Sequence, residues 1–208
     1  FNTEWYYSFF DTQVGIFTGS HIGNLSDLQN AIAADRPSPV FTGQNSYKID
    51  RPNQSVRHQL FKIKTEKEIN NHVFTLQLAS QYNQRSEFDI VRNAQNKNPQ
   101  ISLSLLSLNE SLQWQQPKQK YFNASAGIEF KQHDNIYSGR YLIPNYKLYA
   151  YGAYFIEKFE KNKWQLQTGL RYDKKNINTT RLLSNGAEYN NYKFNFSTLA
   201  GSFSADYK

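Results

Sequence analysis

The chain contains no cysteine. That absence excludes a disulfide framework, a thiolate metal site and a cysteine nucleophile. No run approaches the ~18 consecutive apolar residues of a membrane-spanning helix. The four histidines, His21, His58, His72 and His133, never stand at a His-x-x-x-His spacing, so no paired-histidine metal site is expected. Gly-x-Ser-x-Gly, phosphate-binding glycine loops and dinucleotide fingerprints are missing as well. Long runs of one charge are also lacking. The 208 residues carry 24 Lys+Arg against 17 Asp+Glu, a formal charge of +7. These basic residues are dispersed and form neither the stripe nor the motif of a nucleic-acid-binding protein. A basic lumen, or a surface facing anionic lipid, accounts for the same charge.

What is present is a rhythm. The composition is 38% hydrophobic with a mean hydropathy of −0.75. Taken alone these values describe a soluble chain, but alternating barrel strands give only a weak hydropathy signal. Fifteen Tyr and 15 Phe raise the aromatic share to 16%, compatible with interfacial girdles and equally with a soluble β-sandwich. In His72–Asn83, Phe74, Leu76, Leu78 and Tyr82 fall on one face with Ser80. Thr75, Gln77, Ala79, Gln81 and Asn83 fall on the other. Side chains along a strand alternate between faces, so this segment has one apolar and one wet surface, as does a wall between lipid and water.

The same rhythm predicts an all-β antiparallel meander of eight strands: Trp5–Phe17, Arg57–Thr65, Val73–Arg85, Ile101–Ser107 (extensible to Trp114), Phe122–Lys131, Tyr146–Phe159, Trp164–Tyr172 and Tyr192–Ala200. In the fourth, Ile101, Leu103 and Leu105 supply the apolar face, and Phe194 and Phe196 lead the eighth. The connections alternate. Roughly forty residues separate the first two strands. Ser86–Gln100, Gln132–Asn145 and Asp173–Asn191 read as long loops, whereas Glu66–Asn71, Gln115–Gln119 and Glu160–Lys163 read as short turns. Outer-membrane barrels have short periplasmic turns and long extracellular loops. One short helix is expected in the first loop, capped by Ser26, with Asp27 at its positive end, an apolar stripe of Leu28, Ala31 and Ile32 packed on its own protein, and Pro37 ending it.

The cluster Arg85, Glu87, Asp89 and Arg92 has the residue types of acid–base chemistry, but it flanks a strand end and is better explained by ion pairing across the wall or a loop base. No catalytic residue and no enzyme activity is expected. Asn-x-Ser/Thr sequons, as at Asn53, Asn123 and Asn178, read as chance in an Asn-rich chain, since Asn123 falls on a strand.

The run Gln81-Tyr-Asn-Gln-Arg-Ser-Glu-Phe-Asp-Ile-Val-Arg92 resembles the barrel of TonB-dependent outer-membrane receptors, especially those of the Bacteroidetes type. Its family-like positions are Asn83, Arg85, Glu87, Phe88, Asp89 and Arg92. Gly15–Leu28 is similar to the strand and loop that precede it, and Tyr47–His58, with Pro52, Gln54 and His58, to the return strand. Gly169-Leu-Arg-Tyr-Asp173, carrying Gly169, Arg171, Tyr172 and Asp173, is similar to a recurrent barrel-strand motif and follows Leu142-Ile-Pro-Asn-Tyr146.

The resemblance implies a 22-stranded barrel around an N-terminal plug. Such a receptor sits in the bacterial outer membrane and imports a scarce nutrient (iron–siderophore, haem, cobalamin or glycan) with energy delivered through TonB. The sequence contains no plug, no recognisable TonB box and no closing C-terminal strand, so residues 1–208 are expected to form a central slice of that barrel. Its partners would be outer-membrane lipid, a small nutrient, its own plug and remaining strands, and TonB through the missing N-terminal part; no nucleic acid and no cofactor is expected. The lumen-facing, ligand-contacting candidates are Lys62, Lys64, Thr75, Gln77, Gln81, Asn83, Glu129, Lys131, Gln165, Gln167 and Arg171. Two other readings remain open: a self-contained eight-stranded outer-membrane protein (an adhesin or small-barrel enzyme), and a soluble β-sandwich binding module.

Overall fold

The computed structural model describes residues 1–16, 24–36, 47–89, 97–117, 119–140, 142–182 and 189–208. They form one antiparallel sheet of eight strands in sequence order. The strands are β1 (Asn2–Gly15), β2 (Asn53–Ile69), β3 (His72–Phe88), β4 (Ile101–Gln115), β5 (Phe122–Gly139), β6 (Asn145–Lys161), β7 (Trp164–Leu182) and β8 (Tyr189–Tyr207), with the helix α1 (Leu25–Ala33) between β1 and β2. No helix among the described residues is long and apolar enough to cross a membrane.

The strands run longer than the alternation predicts. β5, β7 and β8 absorb much of the expected loops, so the connections at that end shrink to residues 140–144 and 183–188, against 116–121 at the other end. The strict long–short contrast therefore holds for 16–52 and 89–100 but not throughout, because hairpin extensions replace loop. The remaining turns are tight: β2 and β3 meet at Asn70-Asn71, with φ of 50° and 64°. Two central residues at positive φ match the twist of the flanking strands, and Asn tolerates that region better than most residues.

α1 also departs from expectation. Asn24, not Ser26, caps it, its Oδ1 accepting the Asp27 N–H at 2.8 Å, which leaves Ser26 in the first turn. Leu25 and Ile32 are exposed and no helix residue is buried, so the stripe does not pack on the sheet. Pro37 and His21 lie outside the described residues.

All seven ladders run without a bulge. Directly paired residues share a face, so parity sorts every side chain. One face carries an apolar band: Trp5, Tyr7 and Phe9; Phe61 and Ile63; Phe74, Leu76, Leu78 and Tyr82; Leu106, Leu108, Leu112 and Trp114; Ala126, Ile128 and Phe130; Tyr149, Tyr151, Ala153, Phe155 and Phe159; Leu166, Leu170 and Tyr172; Leu199, Phe203 and Tyr207. Its turn-side margin is an aromatic rim. There Trp164 lies edge-on to Tyr207, Phe122 meets Phe159, and Trp114 Nε1–H donates to His72 Nδ1 at 3.0 Å. The opposite face holds a polar belt at the same height.

Nearer the loop end the polarity inverts. The band face turns polar (Asp11, Arg57, Gln84, Ser104, Asp134, Lys147, Asn178, Lys193), while the belt face gains Phe10, Leu60, Leu105, Leu148, Ile177, Phe194 and Phe196. Ile101, Leu103 and Leu105 thus lie opposite the face the alternation assigns them; β4 presents Leu106, Leu108, Leu112 and Trp114 to the band instead. The consecutive pair Leu105-Leu106 marks the switch. Phe194 and Phe196 are displaced to the belt face for the same reason.

The band crosses the hydrogen-bonded rows obliquely. Its centre lies near Tyr7 on β1, a row continuing through Phe61 and Ser80, but near Phe203 on β8, whose row passes through Thr168, Glu157 and Ala124. Followed through the pairings, the centre slips by about eight residues over the seven strand-to-strand steps. With ~3.3 Å per residue and ~4.8 Å between strands, that slip equals a tilt of roughly 40°, the tilt of strands in a barrel wall. Along β3 the band runs from Phe74 to Tyr82; eight residue steps at this tilt rise roughly 20 Å.

The sheet is a single layer with almost no core. Apart from Pro52, Ala124 is the one buried apolar side chain among those described, while Leu170 is 56% and Phe203 73% exposed. Apolar surface on this scale requires a covering medium or partner. β1 and β8 are the sheet's two edges.

Replacing Asn71 with Val forces a β-branched residue into positive φ. This is expected to cost ~1–2 kcal/mol, read as a lower denaturant midpoint, whereas Asn71→Gly leaves the midpoint unchanged or raises it.

Candidate functional site

The eleven lumen candidates come from four strands, and the register puts all of them on the belt face: Lys62 and Lys64 on β2; Thr75, Gln77, Gln81 and Asn83 on β3; Glu129 and Lys131 on β5; Gln165, Gln167 and Arg171 on β7. They do not form one cluster. Gln165 and Gln167 lie near the turns with Asp206 and Ser204, and Asn83 lies toward the loop end, paired with His58 and Leu105. Gln81 and His58 join through their Nε2 atoms at 2.7 Å. Lys64 holds Glu66 at 2.8 Å, and the Lys62 ammonium stands over the Tyr6 ring.

The densest part of the belt is centred on Arg171. Its guanidinium takes Asp173 through two hydrogen bonds, Nε–Oδ2 and Nη2–Oδ1, each 2.8 Å. Nη2 also reaches Glu129 Oε2 on β5 at 3.0 Å. The two-bond arrangement uses the planar fork of arginine, which lysine cannot reproduce. β6 lies between these partners and is cut away there. A Cβ on Gly152 would stand 2.7 Å from Arg171 Nη2 and 2.8 Å from Asp173 Oδ1. One row nearer the turns, the Tyr154 ring lies over Gly127, where a Cβ would come within 2.6 Å of it. The Arg171 Cζ stands 5.9 Å from that same ring. Two glycines therefore admit an aromatic ring and a guanidinium flat against the backbone.

Sequence reading missed Gly127, Gly152 and Tyr154. The available signal was an isolated glycine inside each strand pattern, which marks close approach of another group.

A second polar knot closes the loop end. Arg51 donates to the Asp89 carbonyl and Gln100 Oε1, both at 3.0 Å, and its guanidinium covers Phe88. Arg140 pairs with Asp89 at 3.2 Å, while Arg85 pairs with Glu87 along β3. Of the family-like positions, Asn83, Arg85, Glu87, Gly169, Arg171 and Asp173 share the belt face; Phe88 and Tyr172 share the other; Asp89 sits just past β3. Arg92 lies outside the described residues. Asp89 is thus tied through Arg140 across the loop base, whereas Glu87 pairs within its own strand.

No family model matches the sequence, and no curated protein does. Among solved structures, the fold is similar to the crystal structure of the ferric yersiniabactin uptake receptor FyuA from Yersinia pestis, with a TM-score of 0.50 and 13% identity. The likeness covers 75% of this chain but 26% of that receptor, so the chain spans about a quarter of its length. At this identity the shared property is the fold: an open antiparallel meander that resembles part of an uptake receptor.

Arg171→Ala leaves Glu129 and Asp173 facing each other across Gly152. A cost of ~1–2 kcal/mol is expected, since the group is partly solvated. Arg171→Lys recovers less than half of it, and adding Glu129→Gln to Arg171→Ala recovers part. Denaturant midpoints of the four proteins check the order.

Proposed function

We propose that this chain is part of the barrel wall of a TonB-dependent outer-membrane receptor of the Bacteroidetes type, set in the bacterial outer membrane and serving the uptake of a scarce nutrient: an iron–siderophore, haem, cobalamin or glycan. It acts by binding, with no chemistry on the ligand. The observation that carries this reading is the oblique apolar band. A band that keeps a constant height while its strands tilt by roughly 40° is what a lipid layer demands of a barrel, and a soluble sandwich has no reason to maintain it. The likeness in fold to a receptor supports the same reading.

On this reading the band faces lipid and the polar belt faces the lumen. The inverted zone beyond the band stands in water on the loop side. Extracellular loops and belt residues meet the nutrient, further strands pair with the edges β1 and β8, and a plug with its TonB-contacting segment gates the path. Open edges support that assignment, because unpaired strand edges are not tolerated in hydrocarbon.

Adjacent positions on one strand provide the test. Leu78 lies in mid-band and Gln77 faces the belt. Leu78→Arg is expected to cost ~2–4 kcal/mol in folding into bilayers and to lower the amount of folded protein in outer membranes. Gln77→Arg leaves both nearly unchanged. Equal tolerance of the two, or recovery of the complete wild-type protein in the aqueous phase of a detergent partition, would sink the proposal. Growth of a deletion strain on defined iron, haem, cobalamin or glycan sources identifies the nutrient.

Glu110 stands in mid-band beside Leu78 and Phe130 and makes no ion pair among the described residues. Glu110→Leu is expected to raise the denaturation midpoint, since a carboxylate facing lipid is unfavourable.

A further inference from the structure

The belt face changes chemistry row by row toward the loop end. The row Glu4–Lys64–Gln77–Ser111–Glu129–Gly152–Asp173–Thr198 holds the acids, and Arg171 from the row beneath takes two of them, Glu129 and Asp173. The next row is Tyr6–Lys62–Ala79–Asn109–Lys131–Ala150–Lys175–Phe196. Lys62 is engaged with Tyr6. Lys131 and Lys175 make no ion pair among the described residues, although Asp173, which shares Arg171 with Glu129, lies within electrostatic range of Lys131. These two lysines flank Ala150 on either side of β6, two strand spacings or roughly 10 Å apart, and His133 from the adjacent row lies close to both.

Directly opposite Lys175 stands Phe196. Phe196, Phe194 and Tyr192 form an aromatic ladder along β8, their successive centroids 6.5 Å apart and their planes within 14° of parallel. All three rings are exposed. Leu148 and Ile177 continue this apolar ledge beside Phe194. Two ammonium groups without a direct ion-pair partner among the described residues, bordered by flat exposed rings, favour negative charge on an apolar body.

We propose that Lys131 and Lys175 bind the anionic head of a small aromatic solute, whose ring lies on Phe194 and Phe196. The site lies at the loop-side margin of the band, so a solute arriving from that end meets the rings and ammonium groups before the charged belt. This rests on the receptor reading and names a ligand class for it.

The test is calorimetric titration of the complete protein in detergent with 2-naphthoate, its neutral counterpart 2-naphthalenemethanol, and acetate. Wild-type protein is expected to bind 2-naphthoate best and acetate not measurably. The double variant Lys131→Gln/Lys175→Gln loses at least tenfold in 2-naphthoate affinity and keeps its weak affinity for the alcohol. Phe194→Ala/Phe196→Ala weakens both aromatic probes. Lys163→Gln, at a turn, changes neither.

Unaltered 2-naphthoate binding in the lysine variant overturns the proposal. So does absence of binding in wild type accompanied by a lower denaturation midpoint in the lysine variant, which assigns the pair to a carboxylate of the protein's own. In both cases the receptor reading survives if the protein is recovered folded in outer membranes. Recovery in the aqueous phase defeats that reading whatever the titrations give.

Discussion

Seven consecutive ladders without a bulge make parity a fixed property of every strand in this sheet. Once Leu76 pairs with Leu112, and Leu112 with Ile128, each remaining side chain has its face assigned. A slip of one residue in any ladder would exchange the faces of all strands beyond it. The apolar band would break, and Arg171 would turn away from Glu129. The separation of surfaces and the charged cluster therefore depend on the same uninterrupted backbone pairing. The two-residue turns help set it, since a tight turn fixes the register of its hairpin.

Packing contributes in an unusual way. A globular domain closes apolar surface against itself, but here each strand meets its neighbours only edge to edge. The strongest side-chain fits lie on the polar side, where Tyr154 covers Gly127 and Arg171 and Asp173 crowd Gly152. There the local specificity comes from rings and ion pairs seated on bare backbone. The apolar side is left to whatever surrounds it. This division suits a wall whose two surfaces meet different media.

Much of the wall was legible in the sequence. The number of strands, the two-faced alternation of β3, β5 and β6, and the grouping of the polar candidates within each strand follow from period-two spacing. What was hidden was the inversion toward the loop end. In β4 the apolar parity shifts across Leu105-Leu106, so Ile101–Leu105 advertises the wrong face when read alone. β8 misleads in the same way through Phe194 and Phe196. A local pattern reports that a strand has two unlike faces, but only pairing with its neighbours tells which is which. The helix was found, yet its cap was misplaced by two residues, since Asn24 and Ser26 are both good capping types. The glycines were visible without being understood, because the groups they accommodate come from the adjacent strand.

The slip of about one residue per strand has a bearing on how such a chain can grow. A hairpin is the smallest piece that returns the backbone to the same end of the wall. A duplicated hairpin fits beside its parent only if its hydrophobic stretch begins about two residues further along the stagger. Gene duplication followed by a small indel in a turn satisfies that rule; insertion of a lone strand never does.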